Sequence, residues 1–151
     1  MGGVVLGING CCDHAFARIS RNSYGYQGYL LTTREVSAVT GAVLAVKSDL
    51  FWKVRGLNEK DLKVAFNDVD LCLSILNEGY INIWNPYVEL YHYESFTRGF
   101  DSDEPGESNY IIDKWKNIII SDPFYNPNLS LKDKIESYSL AFPPRISKIP
   151  K

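Results

Sequence analysis

The chain has 151 residues, 45% of them hydrophobic and 23% charged, and a formal net charge of −2 from 16 basic and 18 acidic side chains. This length gives one domain with one core, and the apolar content excludes a disordered chain. The near-neutral charge gives no electrostatic basis for binding nucleic acid or an anionic membrane. No apolar run reaches the ~20 residues of a transmembrane helix. The N-terminus lacks the basic region of a signal peptide, so we expect a cytoplasmic protein.

The first third of the chain is predicted to form a strand, a loop and a second strand. Residues 3–10 (GVVLGING) indicate a short buried strand followed by a turn. Residues 11–36 are rich in Gly, Tyr and Arg, which is typical of a long surface loop. Residues 36–46 are rich in β-branched side chains and predict a central strand. We expect it to bend at Thr40 and Gly41, because glycine inside a strand marks a bulge or a close backbone approach.

Helices and strands are predicted in the remaining sequence from caps, glycine stops and periodicity. The second predicted helix carries a buried stripe of Val69, Cys72, Leu73 and Leu76. The predicted helices are residues 50–54, capped at 48–49 and ended by Gly56; a helix capped by Asn67 or Asp68 that runs to residue 78 and is ended by Gly79; and an amphipathic helix over residues 111–120 around Trp115. The predicted strands are residues 80–84 and 87–93.

This order of strands and helices predicts an α/β fold. Residues 1–130 are expected to form the domain, and residues 131–151, which follow a segment rich in Pro, Asn and Ser, an extended tail. The three cysteines are an odd number and do not indicate a disulfide framework. Cys11 and Cys12 are adjacent and no second ligand pair has zinc-site spacing, so a zinc site is not predicted.

The segment FNDVD places two carboxylates, Asp68 and Asp70, at the start of a predicted helix beside Asn67. The helix dipole stabilises negative charge there, so a carboxylate stays ionised and can accept a proton from a sugar hydroxyl as a general base. Helix caps have the same composition, and capping alone would also explain these residues.

The segment LYHYESFTRG places His92 at the end of a predicted strand, with Arg98 shortly after it. An imidazole suits a divalent metal, Mn²⁺ better than Mg²⁺, and a guanidinium binds phosphate oxygens in bidentate fashion. A histidine packed at a strand end and an arginine in a surface ion pair would explain the same residues.

Four blocks occur in order: VTGAVLAVKSDLFWKVRGLNE, AFNDVDLCLSILNEGY, NIWNPYVELYHYESFTRG and DPFYNPNLS. As a set they resemble the C-terminal, acceptor-side part of bacterial family two glycosyltransferases, including rhamnosyl-type enzymes of surface polysaccharide synthesis. The resemblance covers about residues 3–130. It implies a partial GT-A fold, a Rossmann-like mixed sheet flanked by helices, whose N-terminal nucleotide-binding half and Asp-x-Asp metal motif are missing. The letters DSD at 101–103 lie in the wrong place for that motif.

The resemblance also implies site residues. Asp68 matches the presumed base of inverting members, although Asn67 replaces the acidic residue that usually precedes it, and Asp70 matches a supporting acidic position. His92 matches a metal ligand, for Mn²⁺ or Mg²⁺ in the complete enzyme, and Arg98 would lie near the diphosphate. The loop at Thr40 and Gly41 would lie near the donor sugar and the acceptor.

The expected function is sugar transfer from a nucleotide-sugar donor to a saccharide acceptor, with little activity in the isolated chain. The alternative is a non-catalytic remnant or an acceptor-binding, dimerising module. In either case we expect a homo-oligomer or association with the missing half, because half a sheet exposes an edge and an apolar face. Both functional hypotheses require the helix that begins at Asn67 and the strand that ends at His92 to converge on one cleft.

Overall fold

The computed structural model describes residues 1–90, 106–132 and 138–145. Within them the fold is mixed α/β, with short antiparallel strand pairs and helices. None of the helices described is long and apolar enough to cross a membrane. The strands are β1 (Val4–Leu6), β2 (Cys12–His14), β3 (Arg34–Val36) and β4 (Asn82–Trp84). The α-helices are α1 (Ser48–Lys53), α2 (Asn67–Asn77), α3 (Glu107–Lys114) and α4 (Lys116–Ile120), and 3-10 turns cover Ile8–Gly10, Tyr26–Leu31 and Gly41–Val43.

The predicted N-terminal strand and turn are confirmed as one arm of a hairpin. Strand β1 is fully buried and pairs antiparallel with β2, so that Leu6 lies opposite Cys12. Gly7 begins the turn at φ 87°, a left-handed conformation that favours glycine, and a Cβ there would lie 2.8 Å from Leu131 Cδ1. The prediction of a loop over 11–36 is therefore wrong at both ends, where β2 and β3 form.

The second strand pair is β3 with β4, which confirms the prediction of a strand within residues 80–84. Val36 lies opposite Asn82 in this antiparallel pair. The buried Asn82 amide donates hydrogen bonds to Ser37 O at 2.9 Å and to Cys72 O at 3.0 Å, which ties the strand to α2. A bridge between Val4 and Ala38 links the two strand pairs.

The central strand predicted over residues 36–46 is wrong beyond Val36. The backbone instead forms a 3-10 turn at Gly41–Val43, and Thr40 Oγ1 accepts a hydrogen bond from Ala42 N at 3.3 Å. Local side-chain capping of this kind competes with a sheet ladder. The strand predicted over 87–93 does not form in residues 87–90, and its remainder lies outside the described residues.

Helix α2 confirms the second predicted helix and most of its buried stripe. The predicted side-chain cap is wrong, because Phe66 occupies the N-cap position at φ 60° and no side chain caps the helix. Asn67 and Asp68 are thus the first helical residues. Gly79 ends the helix at φ 82°, with its N–H donating to Leu76 O at 2.9 Å. The short helix α1 and its glycine stop at Gly56 are also confirmed, but the cap predicted at 48–49 is wrong, because Lys47 occupies the N-cap position and no side chain caps the helix.

The single helix predicted over residues 111–120 is two helices, α3 and α4, which meet at Trp115. Trp115 has φ −112° and ψ 21°, outside the helical range, while its indole Nε1–H donates to Asp70 Oδ1 at 2.7 Å. The break therefore turns the indole toward the first turn of α2.

Two of the core clusters meet at β1. Val4 and Leu6 pack into a first cluster with α2, α3 and α4, whereas Val5 packs into a second, aromatic cluster. This alternation follows from the two-residue period of a strand. Tyr138 is buried in the second cluster and Leu131 packs against it, so described residues beyond 130 contact the core. The domain boundary at 130 stays a prediction.

Candidate functional site

The predicted base Asp68 lies in the first turn of α2, against the loop at Thr40 and Gly41. Gly41 N–H donates to Asp68 Oδ2 at 2.7 Å, and Val69 N–H donates to Asp68 Oδ1 at 2.8 Å. A Cβ on Gly41 would lie 3.1 Å from the Asp68 Cβ, so glycine permits this close approach. The structure thus brings together three of the residues predicted for the site, and Asn67 opens the helix beside them.

The Asp68 carboxylate is partly exposed, and Gly41 lies at the surface. Each carboxylate oxygen accepts one hydrogen bond from a backbone N–H and has further lone-pair capacity. The first turn of α2 also places the positive end of the helix dipole next to this carboxylate. A ligand hydroxyl can therefore reach an oriented carboxylate from solvent.

Asp70 is predicted as a substrate-binding residue, yet it is only 4% exposed. Its Oδ1 accepts from the Trp115 indole at 2.7 Å and forms an ion pair with Lys114 Nζ at 2.7 Å. Burial acts to lower the pKa of Lys114, but the hydrogen bond and charge of Asp70 outweigh it and raise that pKa. The structure therefore places Asp70 between helices rather than beside Asp68 at the surface.

Two cysteine thiols, those of Cys12 and Cys72, lie near enough to Asp68 for its charge to raise their pKa values. Burial raises the pKa of Cys72 to about 11; a backbone hydrogen bond at Val39 acts to lower this pKa, and the charge of Asp68 acts to raise it. The pKa of Cys12 is also raised, by its contact with Cys11, by burial and by nearby charges that include Asp68. Both thiols are thus neutral near pH 7, and Cys11, Cys12 and Cys72 form no disulfide.

Two carboxylates with many partners, the buried Glu107 and the half-buried Asp122, were not predicted from the sequence. Glu107 accepts three backbone hydrogen bonds from residues 63–65. Asp122, from the DPFYNPNLS block, accepts from Leu6 N at 2.8 Å and from Ser37 Oγ at 2.6 Å. The Asp-Pro start of that block indicates a turn, but the partners lie too far away in sequence to be inferred.

A cavity of about 10 Å³ lies beside Asp122 and is lined also by Ser37, Arg34 and Tyr138. This volume is about that of one water molecule. The cavity is therefore too small for a sugar and does not form the acceptor site.

His92 and Arg98 lie outside the described residues, so the predicted convergence of the α2 start with His92 stays a prediction. Among the residues that the structure describes, no group of three or more His, Cys, Asp or Glu side chains is arranged to hold a metal ion. The metal that the glycosyltransferase resemblance implies, with His92 as a ligand, stays a prediction.

The comparisons with known proteins give a relative without an assigned activity. The chain is 42% identical over 137 residues to "Uncharacterized protein y4gI" of Sinorhizobium fredii (strain NBRC 101917 / NGR234). The matched region covers 86% of this chain and 15% of that protein, so the chain spans a small part of the relative's length. No family model matches the chain, and no solved structure matches it significantly.

Proposed function

We propose that this chain is the acceptor-side half of a GT-A-type glycosyltransferase that transfers a sugar from a nucleotide-sugar donor to a saccharide acceptor. The observation that supports this most is the surface carboxylate of Asp68, oriented by the Gly41 N–H at 2.7 Å. Asp68 and the Thr40–Gly41 loop are distant in sequence, and the resemblance had assigned both to the same site. Their contact is the spatial relation that the proposal requires.

Asp68 acts in this proposal as the general base. Its free lone pair accepts the proton of an acceptor hydroxyl, and the hydroxyl oxygen forms a bond to the anomeric carbon of the donor sugar. The bond from that carbon to the nucleoside diphosphate breaks, and its electron pair leaves with the diphosphate. Attack from the opposite face inverts the anomeric configuration. No step is assigned to a metal here, and His92 stays a predicted ligand.

The hydrogen bonds to Asp68 serve this role in two ways. The Gly41 and Val69 N–H groups fix the direction of the carboxylate without using all of its acceptor capacity. The Gly41 contact also brings the loop within reach of whatever binds Asp68. Donor binding, with Arg98 near the diphosphate, belongs in this proposal to residues beyond the described ones, and a cytoplasmic role in surface polysaccharide synthesis is part of the same proposal.

A second candidate is a non-catalytic acceptor-binding or dimerising module. It is favoured by β4, which within the described residues pairs with β3 on one side only. Ile83 in this strand is 45% exposed, and Ile81 directly before it is 56% exposed. Apolar side chains at an unpaired strand edge favour association with a second chain or with the nucleotide-binding half.

The decisive experiment replaces Asp68 by Asn in a longer protein in which this chain is reconstituted with a nucleotide-binding half. With a panel of nucleoside-diphosphate sugars, transfer of the sugar to an acceptor, measured as release of the nucleoside diphosphate, is expected to fall by about 10²–10⁴-fold, because general-base catalysis contributes that much. Thermal unfolding is expected to change little. The matched control is Asp61→Asn, which removes an exposed carboxylate in the loop before α2. Sugar transfer is expected to be unchanged in this variant.

Two results would contradict the proposal. Normal turnover of the Asp68→Asn protein would remove Asp68 as the base. Absence of transfer with every donor, together with no heat of nucleotide-sugar binding in calorimetry, would favour the second candidate.

A further inference from the structure

Glu107, in the first turn of α3, lies 5% exposed against the loop that leads into α2. Its Oε1 accepts from Lys63 N at 2.7 Å and from Val64 N at 3.0 Å, and its Oε2 accepts from Ala65 N at 2.7 Å. Three consecutive backbone donors thus converge on one carboxylate. Hydrogen bonds to an ionised acceptor are about twice as strong as neutral ones, so this is a strong tether between distant segments.

The tether ends directly before the turn that sets the direction of α2. Phe66 follows the third donor and has φ 60°, which is unfavourable for a residue with a side chain. Asp70 N–H then donates to Phe66 O at 2.9 Å and begins the helical ladder. Because the strained residue lies between the tethered loop and the first turn, the loop must be held in place for Asp68 to keep its position.

A second carboxylate holds the other side of the same turn. Asp70 reaches Trp115 and Lys114 at the junction of α3 and α4. Glu107 therefore fixes the chain before Asp68, and Asp70 fixes it after Asp68. Both hold it to the same pair of helices, and Asp68 lies between them, turned toward Gly41 at the surface.

We infer that Glu107 is a positioning residue that sets the geometry of the Asp68–Gly41 contact through residues 63–65. The geometric part stands on the contacts alone, whereas its consequence for sugar transfer rests on the proposed function. A glutamine cannot replace it, since its amide has one acceptor oxygen and would place a second donor against a backbone N–H. An aspartate is one methylene shorter and cannot span the same three donors in full.

The test is amide hydrogen exchange and the amide NMR spectrum of the full chain with Glu107→Gln. Exchange at Gly41 N–H is expected to accelerate on the order of tenfold or more, since charged hydrogen bonds are lost on the tether, and the Gly41 amide resonance is expected to shift. Leu6 N–H, which donates to the distant carboxylate of Asp122, provides an internal reference. It should accelerate only as much as overall stability falls.

The matched control is Glu78→Gln, which removes a carboxylate and its Lys53 ion pair at the C-terminal end of α2, the end away from Asp68. It is expected to leave Gly41 exchange unchanged. An equal acceleration at Gly41 and Leu6 in the Glu107 variant would mean a purely structural role and would overturn the inference. An unchanged exchange rate at the Gly41 amide in the Glu107 variant would overturn it as well.

A measurement on the unsubstituted chain covers the case in which Glu107→Gln does not fold. The amides of Lys63, Val64 and Ala65 should be protected together with Gly41, and free exchange at 63–65 beside a protected Gly41 would overturn the inference. In the longer protein, a transferase with Glu107→Gln should lose kcat and keep its acceptor KM. Altered Gly41 exchange without any transferase activity would support the positioning role and contradict the proposed function, so the two failures are distinguishable.

Discussion

At the scale of single residues, acidic side chains that look alike in sequence have different roles in the fold. Asp68 is partly exposed with two backbone donors, whereas Asp70 and Glu107 are buried and joined to other elements. The sequence could place Asp68 and Asp70 at a helix start. It could not separate their roles, because those depend on Trp115 and Gly41, which lie far away along the chain.

The shifted pKa of Asp122 predicts how the stability of the fold depends on pH. Burial raises its pKa above the ordinary value of 3.8, although hydrogen bonds from Ser37, Leu6 and Phe124 act to lower it. The folded state thus binds the proton more tightly than the unfolded state. Its contribution to stability is complete below pH 3.8 and is lost as the pH rises through the raised, folded-state pKa.

The Asp122→Asn variant tests this sign because asparagine does not titrate. The unfolding free energy of the unsubstituted chain minus that of the variant, measured by urea denaturation, is expected to decline as the pH rises above 3.8. Ser37→Ala removes a hydrogen bond that lowers the pKa, so the decline should extend to higher pH in that background. A difference that grows with pH would mean that the folded state depresses this pKa.

At the scale of elements, local signals predicted the helices better than the strands. Gly56 and Gly79 adopt positive φ and end α1 and α2 as expected, since a glycine stop acts through its own backbone. The strand predicted over 36–46 was wrong because Gly41 N–H pairs with Asp68, a partner that β propensity does not reveal. The break at Trp115 was also not predictable, since apolar periodicity continues across it.

The junction of α3 and α4 predicts a specific cost for Trp115→Phe. Phenylalanine keeps most of the ring packing but lacks the indole N–H that donates to the buried Asp70 carboxylate at 2.7 Å. Loss of a hydrogen bond to a buried charge is expected to lower the unfolding free energy by about 1–3 kcal/mol, measured by urea denaturation. Trp52→Phe is the matched control, since Trp52 is 71% exposed on α1, and it should change stability by less than about 0.5 kcal/mol. Equal effects of the two substitutions would refute the role assigned to the indole.

At the scale of the whole molecule, strand β1 contributes to both the first and the second core clusters. The first cluster includes residues of α2, and the second is the aromatic one. Tyr138, which lies beyond residue 130, is buried in the second cluster. Its ring stacks on Phe16 at 4.6 Å and 9° and meets the Tyr125 ring edge-on at 5.0 Å. The sequence predicted an extended tail there, because these residues follow a segment rich in Pro, Asn and Ser, and only the fold shows that Tyr138 is buried.

The dependence of the molecule on this segment is tested by Tyr138→Ala. Tyr138 is 6% exposed, and removal of a buried aromatic side chain is expected to cost about 3–5 kcal/mol, because the neighbouring rings collapse only partly into the space left behind. The free energy of unfolding from urea denaturation measures this loss. The control is Leu140→Ala, because Leu140 lies two residues away and is 79% exposed. Its free energy of unfolding is expected to change by less than about 0.5 kcal/mol. Because β1 joins the two clusters, exchange at the β1 amide of Leu6 should accelerate in the Tyr138 variant as well. A small stability change with normal Leu6 protection would show that the fold does not depend on residues beyond 130.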